Sequence, residues 1–374
     1  MGSYDRRSTA YTMDTHFEQA RRFFLDGVAH YQAGRLAQAE QQFAAADSLV
    51  PGRPSVLTNL GAVRLKLGRP EEALALLQQV LAQEPDNGEA LGHCAAAHAE
   101  LGHAREALAL FDRALAIGDQ QPALWTLRGS VLRELGQADA AAESFRQALQ
   151  RGGDAELNRY YLAGVTAGEA PASAPRGYVE ALFDGYAAQF DSHLVRALNY
   201  QAPRLLAAPL AASGRRYAHA LDLGCGTGLA GPELRALAER VTGVDLSANM
   251  LAQARARGLY DTLLQADALE FLAGCDTPFD LVLAADVFIY VGALDAVFRE
   301  LGRLMPARGS FCFTVEEADQ DMVLRPSLRY AHSEGHLRRL AAGSGFDVTL
   351  LVRSPVREEQ RQPIAGLFVW LEKR

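Results

Sequence analysis

The stretch LDLGCGTGLAG, residues 221–231, decides the fold of the second half of this chain. Its glycines Gly224, Gly226 and Gly228 stand at alternate positions directly after a short apolar run. An apolar run that ends in a glycine-rich turn predicts a buried strand whose carboxyl end faces a ligand. Such a turn suits a phosphate, a dinucleotide or a ligand without phosphate.

Further apolar runs follow the turn and alternate with helical segments. This alternation predicts a parallel sheet with helices on both faces. The last two runs have no helix between them, which predicts an antiparallel hairpin at the sheet edge. The seven predicted strands are 218–223, 240–245, 262–266, 279–284, 309–316, 346–353 and 364–372.

The residues around the turn narrow the choice of ligand. A phosphate loop requires GxxxxGK[ST], and no lysine follows here. A dinucleotide turn requires a third glycine at the position of Leu229. A carboxylate at Asp222 would repel a pyrophosphate and attract an ammonium or sulfonium group. These features favour S-adenosylmethionine, whose methionine end is cationic and which carries no phosphate.

Three more acids stand at or just past the ends of successive predicted strands. Asp245 ends the second strand, where it can accept bonds from ribose hydroxyls, and Asp267 ends the third, near an adenine amino group. Asp286 follows the fourth strand and completes the predicted cofactor site. Asp245 alone also fits an NAD enzyme, and Asp245 and Asp267 each precede a segment that a helix N-cap would suit.

The first half of the chain repeats every 34 residues. Glycines at this period are followed nine residues later by a bulky apolar residue and preceded by a small one at seven residues, which predicts closely packed helix pairs. This pattern resembles tetratricopeptide (TPR) repeats, whose concave surface binds a peptide or protein, or serves self-association. The glycines are Gly34, Gly68, Gly102 and Gly136, the bulky residues Phe43, Leu77, Phe111 and Phe145, and the small ones Gly27, Gly61, Ala95 and Gly129.

Composition excludes several classes of protein. The 374 residues carry a net charge of −8 without a long Lys/Arg run, which argues against nucleic acid as the partner. The four cysteines form no CxxC pair, so no metal site is predicted. Apolar runs are shorter than the roughly 18 residues of a membrane span, and a cytoplasmic location is expected.

The segments LDLGCGTG, VTGVDLSANML, LLQADALEFL and FDLVLAADVFIYV make residues 178–374 resemble class I S-adenosylmethionine-dependent methyltransferases. With the repeats and LFDGYAAQFDSHL, the chain is similar to a bacterial group of TPR-fused methyltransferases. The resemblance implies a helical solenoid followed by a Rossmann-like domain with a seven-stranded sheet and an antiparallel edge hairpin. The expected segments are a flexible tail at 1–16, the TPR array at 17–155, a linker at 156–176 and the methyltransferase domain at 177–374, with lid helices at 177–200.

The resemblance also assigns cofactor contacts by motif. The methionine moiety falls to Asp222, Gly224, Cys225, Gly226 and Gly228, the ribose and one adenine face to Asp245, Leu246 and Met250, and the base to Asp267 and Ala268. Tyr186 would close over the cofactor from the lid, and S-adenosylhomocysteine would be the product.

The implied reaction is in-line displacement at a methyl carbon, and a base is required only when the acceptor is protonated. His193, Tyr290 and His332 are the candidates. The acceptor is expected to be a protein, peptide or carrier-bound group recruited by the array; a lysine, arginine, carboxylate, hydroxyl or amine all remain open. A small-molecule methyltransferase that uses the array for self-association and a non-catalytic scaffold are the alternatives.

Overall fold

The computed structural model describes residues 5–166, 168–187, 190–191, 200–359 and 362–374, without the side chains of 5–14 and Tyr186. The chain forms two compact units, Met1–Thr166 and Ala167–Arg374. Their boundary falls inside the predicted linker at 156–176. The helix α9 (Ala155–Thr166) occupies the part of the predicted linker before residue 167 and continues the repeat array.

The described part of the first unit is a succession of helices. They pair as the 34-residue period predicts, and α9 packs on the last pair. The first helix begins at Asp5, within the segment 1–16 for which the sequence predicts a flexible tail. Besides α9, the helices are α1 (Asp5–Gln32), α2 (Leu36–Leu49), α3 (Pro54–Lys66), α4 (Pro70–Gln83), α5 (Gly88–Glu100), α6 (Ala104–Ile117), α7 (Pro122–Glu134) and α8 (Ala138–Gln150).

Close helix approach explains the small residues of each repeat. A Cβ atom on Gly129 would lie 2.5 Å from the ring of Phe145, and one on Gly27 would lie 2.7 Å from Phe43. Both phenylalanines are fully buried, so the small residue and the bulky residue of one repeat pack directly on each other. The repeat glycine Gly136 has φ of 72°, a backbone conformation that glycine adopts at little cost in the turn between two helices.

The second unit alternates helices and strands. Its helices are α10 (Arg176–Tyr186), α11 (Ala202–Ala212), α12 (Gly231–Leu237), α13 (Ala248–Arg257), α14 (Ala268–Gly274), α15 (Asp295–Leu304) and α16 (Glu334–Gly343). Its strands are β1 (Tyr217–Leu223), β2 (Ala238–Asp245), β3 (Thr262–Gln265), β4 (Leu281–Ala284), β5 (Ser310–Glu317), β6 (Met322–Leu324), β7 (Tyr330–His332), β8 (Phe346–Glu359) and β9 (Gln362–Lys373).

The sheet confirms the predicted parallel core and antiparallel edge. Strands β3, β2, β1, β4 and β5 lie side by side and parallel, and β9 runs antiparallel to β5 with β8 on its outer side. The seven predicted strands are all present. A short hairpin of β6 and β7 is added beyond the end of β5, where Glu317 pairs with His332.

The core lies on both faces of the sheet and leaves one edge for a ligand. One cluster contains Phe288, Phe298 and Phe311, and the other contains Leu206 and Trp370. The strand order reverses between β1 and β4, and open α/β sheets bind ligands at the carboxyl ends of strands beside such a reversal. Among the helices that the structure describes, none is both long and apolar enough to cross a membrane.

Candidate active site

A cavity of about 400 Å³ lies at the carboxyl ends of β1, β2 and β4. It brings together most of the residues that the sequence assigned to a cofactor. Those at its wall are Asp222, Gly224, Cys225, Gly226, Asp245, Leu246, Asp267, Ala268 and Asp286, together with the base candidate Tyr290.

Two predicted cofactor residues lie away from this wall. Met250 is fully buried, and its backbone N–H donates to Ser247 Oγ at the start of α13. A Cβ on Gly228 would lie 3.0 Å from the ring of Tyr260 and 3.3 Å from Ala254 Cα, so this glycine allows the turn to pack against α13. The Tyr186 side chain and the whole of His193 lie outside the described residues.

The glycine turn is fixed by β2, and Gly224 within it has no room for a side chain. The N–H groups of Gly224 and Cys225 both donate to Val244 O, at 2.8 and 2.9 Å. Gly224 has φ of 69°, and a Cβ there would collide with Val287. The backbone of the turn therefore approaches the cavity closely, as a bound ligand requires.

Asp222 is a buried carboxylate at the floor of the cavity. Its side chain is 2% exposed, and Tyr260 donates a hydrogen bond from its hydroxyl to Oδ2 at 2.6 Å. Burial raises the pKa of Asp222 to about 7, against the lowering effect of that bond. A cation placed beside Asp222 would favour its charged form, because burial penalises an uncompensated carboxylate.

Asp245 lies beside the glycine turn, as its position at the end of β2 predicts. Oδ2 accepts the Gly226 N–H at 2.8 Å, and Oδ1 accepts the Ser247 N–H at 2.9 Å. Burial raises the pKa of Asp245, and these backbone donors oppose the increase. The carboxylate is thus held rigidly at the wall, and each oxygen has a second lone pair for a ligand hydroxyl.

Of the two aspartates that could cap a helix, Asp267 does so and Asp245 does not. Asp267 does cap α14, because Oδ1 accepts the N–H groups of Leu269 and Glu270. The cap of α13 is Ser247 and not Asp245, since Ser247 Oγ accepts the Met250 N–H. Asp267 also lines the cavity, so its capping role and its predicted place near the adenine coexist.

Asp286 forms an ion pair that the sequence did not predict. Arg357, whose side chain is 1% exposed, donates from Nη1 to both carboxylate oxygens of Asp286. Arg357 also bonds Glu316 and, from Nε at 2.7 Å, Glu359. Asp286 also lines the cavity, so a bound cofactor would meet a carboxylate that this arginine already binds.

Of the predicted bases, Tyr290 lies at the cavity and His332 lies away from it. Tyr290 lines the cavity and packs edge-to-face on Phe183, with ring centroids 5.5 Å apart. Burial raises the pKa of Tyr290 to about 12, so it is a neutral hydrogen-bond donor at neutral pH. His332 is fully buried behind the wall, with Nε2 3.2 Å from Val291 O, and burial lowers its pKa to about 4.

Described residues of the segment before the sheet, where the sequence predicts a lid, line the cavity. Val179, Leu182 and Phe183 of α10 and the following Phe190 contribute apolar lining. Two carboxylates of this segment bond the ligand-binding loops. Asp184 accepts from Ser247 Oγ at 2.5 Å, and Asp191 accepts from Thr227 Oγ1 at 2.5 Å and pairs with Arg257.

Several of these residues were not found from the sequence. Asp184 and Asp191 are seven residues apart, a spacing that would put two residues of a continuous helix on one face and could have indicated a shared role. Arg357 and Tyr260 have partners 71 and 38 residues away along the chain. Such distant pairing leaves no local pattern to detect.

Comparison with known families agrees with both halves of this architecture. Residues 221–313 match the family described as a methyltransferase domain. Residues 64–131 and 122–151 match families described as tetratricopeptide repeats. The methyltransferase match covers the segment from β1 to within β5, which contains the glycine turn and the acids at the strand ends.

Curated relatives share the same region. A malonyl-acyl-carrier protein O-methyltransferase of Enterobacter lignolyticus is 34% identical over 136 residues, which are 36% of this chain and 54% of the relative. An enzyme of the same name from Legionella pneumophila is 36% identical over 124 residues, 31% of this chain and 43% of the relative. The chain spans about half the length of the curated relatives it matches.

Solved structures include similar chains as well. Magnesium protoporphyrin IX methyltransferase of Synechocystis PCC 6803, solved with S-adenosylhomocysteine, is 18% identical and covers 53% of this chain and 99% of its own, with a TM-score of 0.43. The 1,6-didemethyltoxoflavin-N1-methyltransferase of Burkholderia thailandensis is 22% identical and covers 55% of this chain and 93% of its own, with a TM-score of 0.43.

Proposed function

We propose that this chain, which joins tetratricopeptide repeats to a class I methyltransferase domain, transfers the methyl group of S-adenosylmethionine to an acceptor and releases S-adenosylhomocysteine. The observation that carries the proposal is the buried carboxylate of Asp222 beside a glycine turn in which Gly224 has no room for a side chain. Its raised pKa marks a charge that lacks compensation in the protein alone. A cationic ligand would supply that compensation.

The other walls of the cavity suit the rest of this cofactor. Asp245 offers two fixed oxygens to ribose hydroxyls, and Asp267 with Ala268 lies where the adenine would follow. Leu246 and Val287 provide apolar surface for the flat base. No part of this arrangement requires a phosphate.

When bound, S-adenosylmethionine supplies a methyl group activated by its sulfonium. The chain then has to align the acceptor and exclude water, and alignment alone is worth roughly 7 to 11 kcal/mol in favourable cases. Phe183, Phe190 and Leu182 form an apolar cover suited to excluding water. The Asp191 contacts to Thr227 and Arg257 hold that cover against the glycine turn.

The two predicted bases that the structure describes, Tyr290 and His332, favour an acceptor that needs no deprotonation. Tyr290 keeps its proton at neutral pH, and His332 does not reach the cavity. A carboxylate is already nucleophilic at neutral pH, so its oxygen can form the new bond to the methyl carbon while the carbon–sulfur bond breaks and sulfur keeps the electron pair. The products would be a methyl ester and the neutral thioether, and no proton is transferred.

Arg329 offers a binding group for such an acceptor. It lines the cavity beside Tyr290, and its side chain is 25% exposed. Its contacts with Glu359 and Tyr290 use two of the five N–H groups that a guanidinium carries. The relatives named above are malonyl-acyl-carrier protein O-methyltransferases, so we infer that the acceptor is a carboxylate presented on a carrier protein, which the repeat array recruits.

Labelled methyl transfer tests the proposal. The full chain is incubated with tritiated-methyl S-adenosylmethionine and either a malonyl thioester on an acyl carrier protein or malonyl-coenzyme A. Alkaline treatment should release the label as volatile methanol, because a methyl ester is hydrolysed and an N-methyl group is not. The Asp245→Asn variant should lose transfer to both acceptors.

The role of the repeats is tested with the same acceptors. Deletion of residues 1–166 should lower transfer to the carrier-bound acceptor and leave transfer to malonyl-coenzyme A within about threefold, provided that cofactor binding by the shortened protein is unchanged. Equal rates on the carrier in both proteins would remove the recruiting role and favour self-association. Cofactor binding without transfer to any acceptor would favour the non-catalytic scaffold.

A further inference from the structure

Tyr260 occupies an unusual position beneath the cavity. It lies between α13 and β3, and three glycines leave space for its ring. A Cβ atom on Gly228, Gly231 or Gly243 would lie 3.0, 3.2 or 2.9 Å from the ring. Its hydroxyl is thereby aimed at Asp222 and donates to Oδ2 at 2.6 Å.

We propose that Tyr260 is a positioning residue for cofactor binding, whose hydroxyl holds the Asp222 side chain as a charged carboxylate facing the cationic end of the cofactor. The inference rests on the proposed function, because it assumes that a cationic cofactor occupies the cavity. It adds a role for Tyr260 that neither the sequence pattern nor the family match assigns. Tyr260 does not line the cavity and acts only through Asp222.

The groups around Asp222 explain why a donor is needed there. Asp245 from β2 and Glu233 from α12 both act to raise the pKa of Asp222, as burial does. Tyr200 and Cys225 also lie in its field, and burial raises the pKa of each well above its ordinary value, so both are neutral near pH 7. Among these neighbours, Tyr260 is the group whose hydrogen bond lowers the pKa of Asp222.

The Tyr260 hydroxyl should therefore affect cofactor affinity in a way that depends on pH. A hydrogen bond to a charged acceptor is stronger than one to a neutral acceptor, so Tyr260 favours the carboxylate over the carboxylic acid. With the bond present, the pKa of Asp222 is about 7. Without it, the same charge would form only at higher pH, and a cationic cofactor would then lose its partner near neutrality.

The Tyr260→Phe variant of the full chain tests this role. It keeps the ring between the glycines and removes only the hydroxyl. The dissociation constant of S-adenosylmethionine is measured by calorimetry for the variant and the wild type from pH 6 to pH 9. Titration of the ligand itself cancels in the ratio of the two constants, since both proteins bind the same ligand.

The expected ratio of the two dissociation constants, variant to wild type, depends on pH. If the pKa of Asp222 rises by about one unit, the variant binds about tenfold more weakly at pH 6 and nearly as well as the wild type at pH 9. The matched control is Tyr217→Phe, which removes another tyrosine hydroxyl, the one 2.9 Å from Ser310 Oγ, and should give a ratio near one throughout.

Repeating the series with S-adenosylhomocysteine keeps the ammonium and removes the sulfonium. The same ratios with both ligands would assign the ammonium as the partner of Asp222, and loss of the pH dependence would assign the sulfonium.

A ratio that stays constant across the pH range would overturn the inference, because Tyr260 would then serve the fold alone. Failure of the wild type to bind S-adenosylmethionine at any pH would overturn the proposed function and the inference with it. Melting temperatures of the two variants report separately on any loss of folding.

Discussion

Arg357 binds Asp286 through a single nitrogen, with Nη1 2.8 Å from Oδ1 and 3.0 Å from Oδ2. The backbone of Asp286 has φ of 60°, which a residue other than glycine rarely adopts. The ion pair thus accompanies a strained turn just past β4. Because Arg357 also bonds the buried Glu316, one guanidinium compensates two carboxylates inside the protein.

Removing this arginine should destabilise the second unit strongly. Arg357→Met leaves Asp286 buried without the arginine that binds it and leaves Glu316 with Arg325 alone. Breaking a buried pair in this way costs about 3 to 5 kcal/mol. Urea denaturation of a Trp125→Phe background, where Trp370 is the remaining tryptophan, measures the free energy of unfolding near the site. Arg353→Met is the matched control, since Arg353 is 60% exposed and solvent screens its ion pairs, so only a small loss of stability is expected. Equal losses in the two variants would contradict this account.

The lid contacts should govern how long the cofactor stays bound. Asp191→Asn removes the charged partner of Thr227 and Arg257, and bonds to charged groups contribute about 1.5 to 3 kcal/mol. We expect the dissociation rate of S-adenosylhomocysteine, measured by stopped flow, to rise at least tenfold while the association rate changes less than threefold.

A double-mutant cycle with Thr227→Val isolates the contact itself. A coupling energy of about 1 kcal/mol or more is expected in the dissociation rate of S-adenosylhomocysteine, because the Thr227 hydroxyl bonds the Asp191 carboxylate directly. Asp276→Asn provides a control of the same chemistry at a fully exposed carboxylate. Additive effects of the two lid substitutions would show that Asp191 acts by another route.

His332 should affect stability rather than the rate of the reaction. Its pKa in the folded protein, about 4, lies below the ordinary value near 6.5, so the neutral ring favours the fold. That contribution is fully present above pH 6.5 and is lost as the pH falls toward 4, by about 3 kcal/mol in total. Unfolding of His332→Gln should depend less on pH across this window, with kcat/KM at pH 8 within about threefold of the wild type. A loss of several hundredfold at pH 8 with normal cofactor binding would restore His332 as a base.

Much of the architecture was predictable because it depends on local patterns. Apolar runs gave the seven main strands, and the 34-residue period gave the helix pairs. The hairpin of β6 and β7 was missed because each strand has three residues and forms only by pairing with the end of β5. A run that short has no alternation to recognise.

The residues of the site also divide into those that local patterns predict and those that only packing brings together. Asp222, Asp245 and Asp267 were predictable because topology brings strand ends to one edge of a sheet. Arg357 and Tyr260 were not, because their partners are distant in sequence and only packing brings them together. The ion pair of Asp286 was missed for the same reason, since its arginine comes from β8.

Packing in the repeats predicts a sharp difference between two glycines. Gly129→Ala forces a Cβ to within 2.5 Å of the buried Phe145 ring, and overpacking of this kind costs about 1 to 3 kcal/mol. Gly118→Ala adds a methyl group with no neighbouring atom within 4 Å and should change stability by about 0.5 kcal/mol or less. Scanning calorimetry of the two variants measures the difference, and similar melting temperatures would contradict the packing.

Cys225, in the middle of the glycine turn, should be dispensable as a chemical group. Its thiol is 6% exposed, and burial together with Asp222 raises its pKa far above the ordinary value, so no thiolate forms at neutral pH. Its Sγ lies 3.0 Å from where a Cβ on Gly243 would stand, so the thiol has space here because Gly243 carries no side chain. We expect Cys225→Ala to keep kcat/KM within about threefold, whereas Cys225→Leu should lose cofactor affinity through steric conflict. A large loss in the alanine variant with intact cofactor binding would instead require the sulfur in catalysis, since alanine is smaller than cysteine and fits the same space.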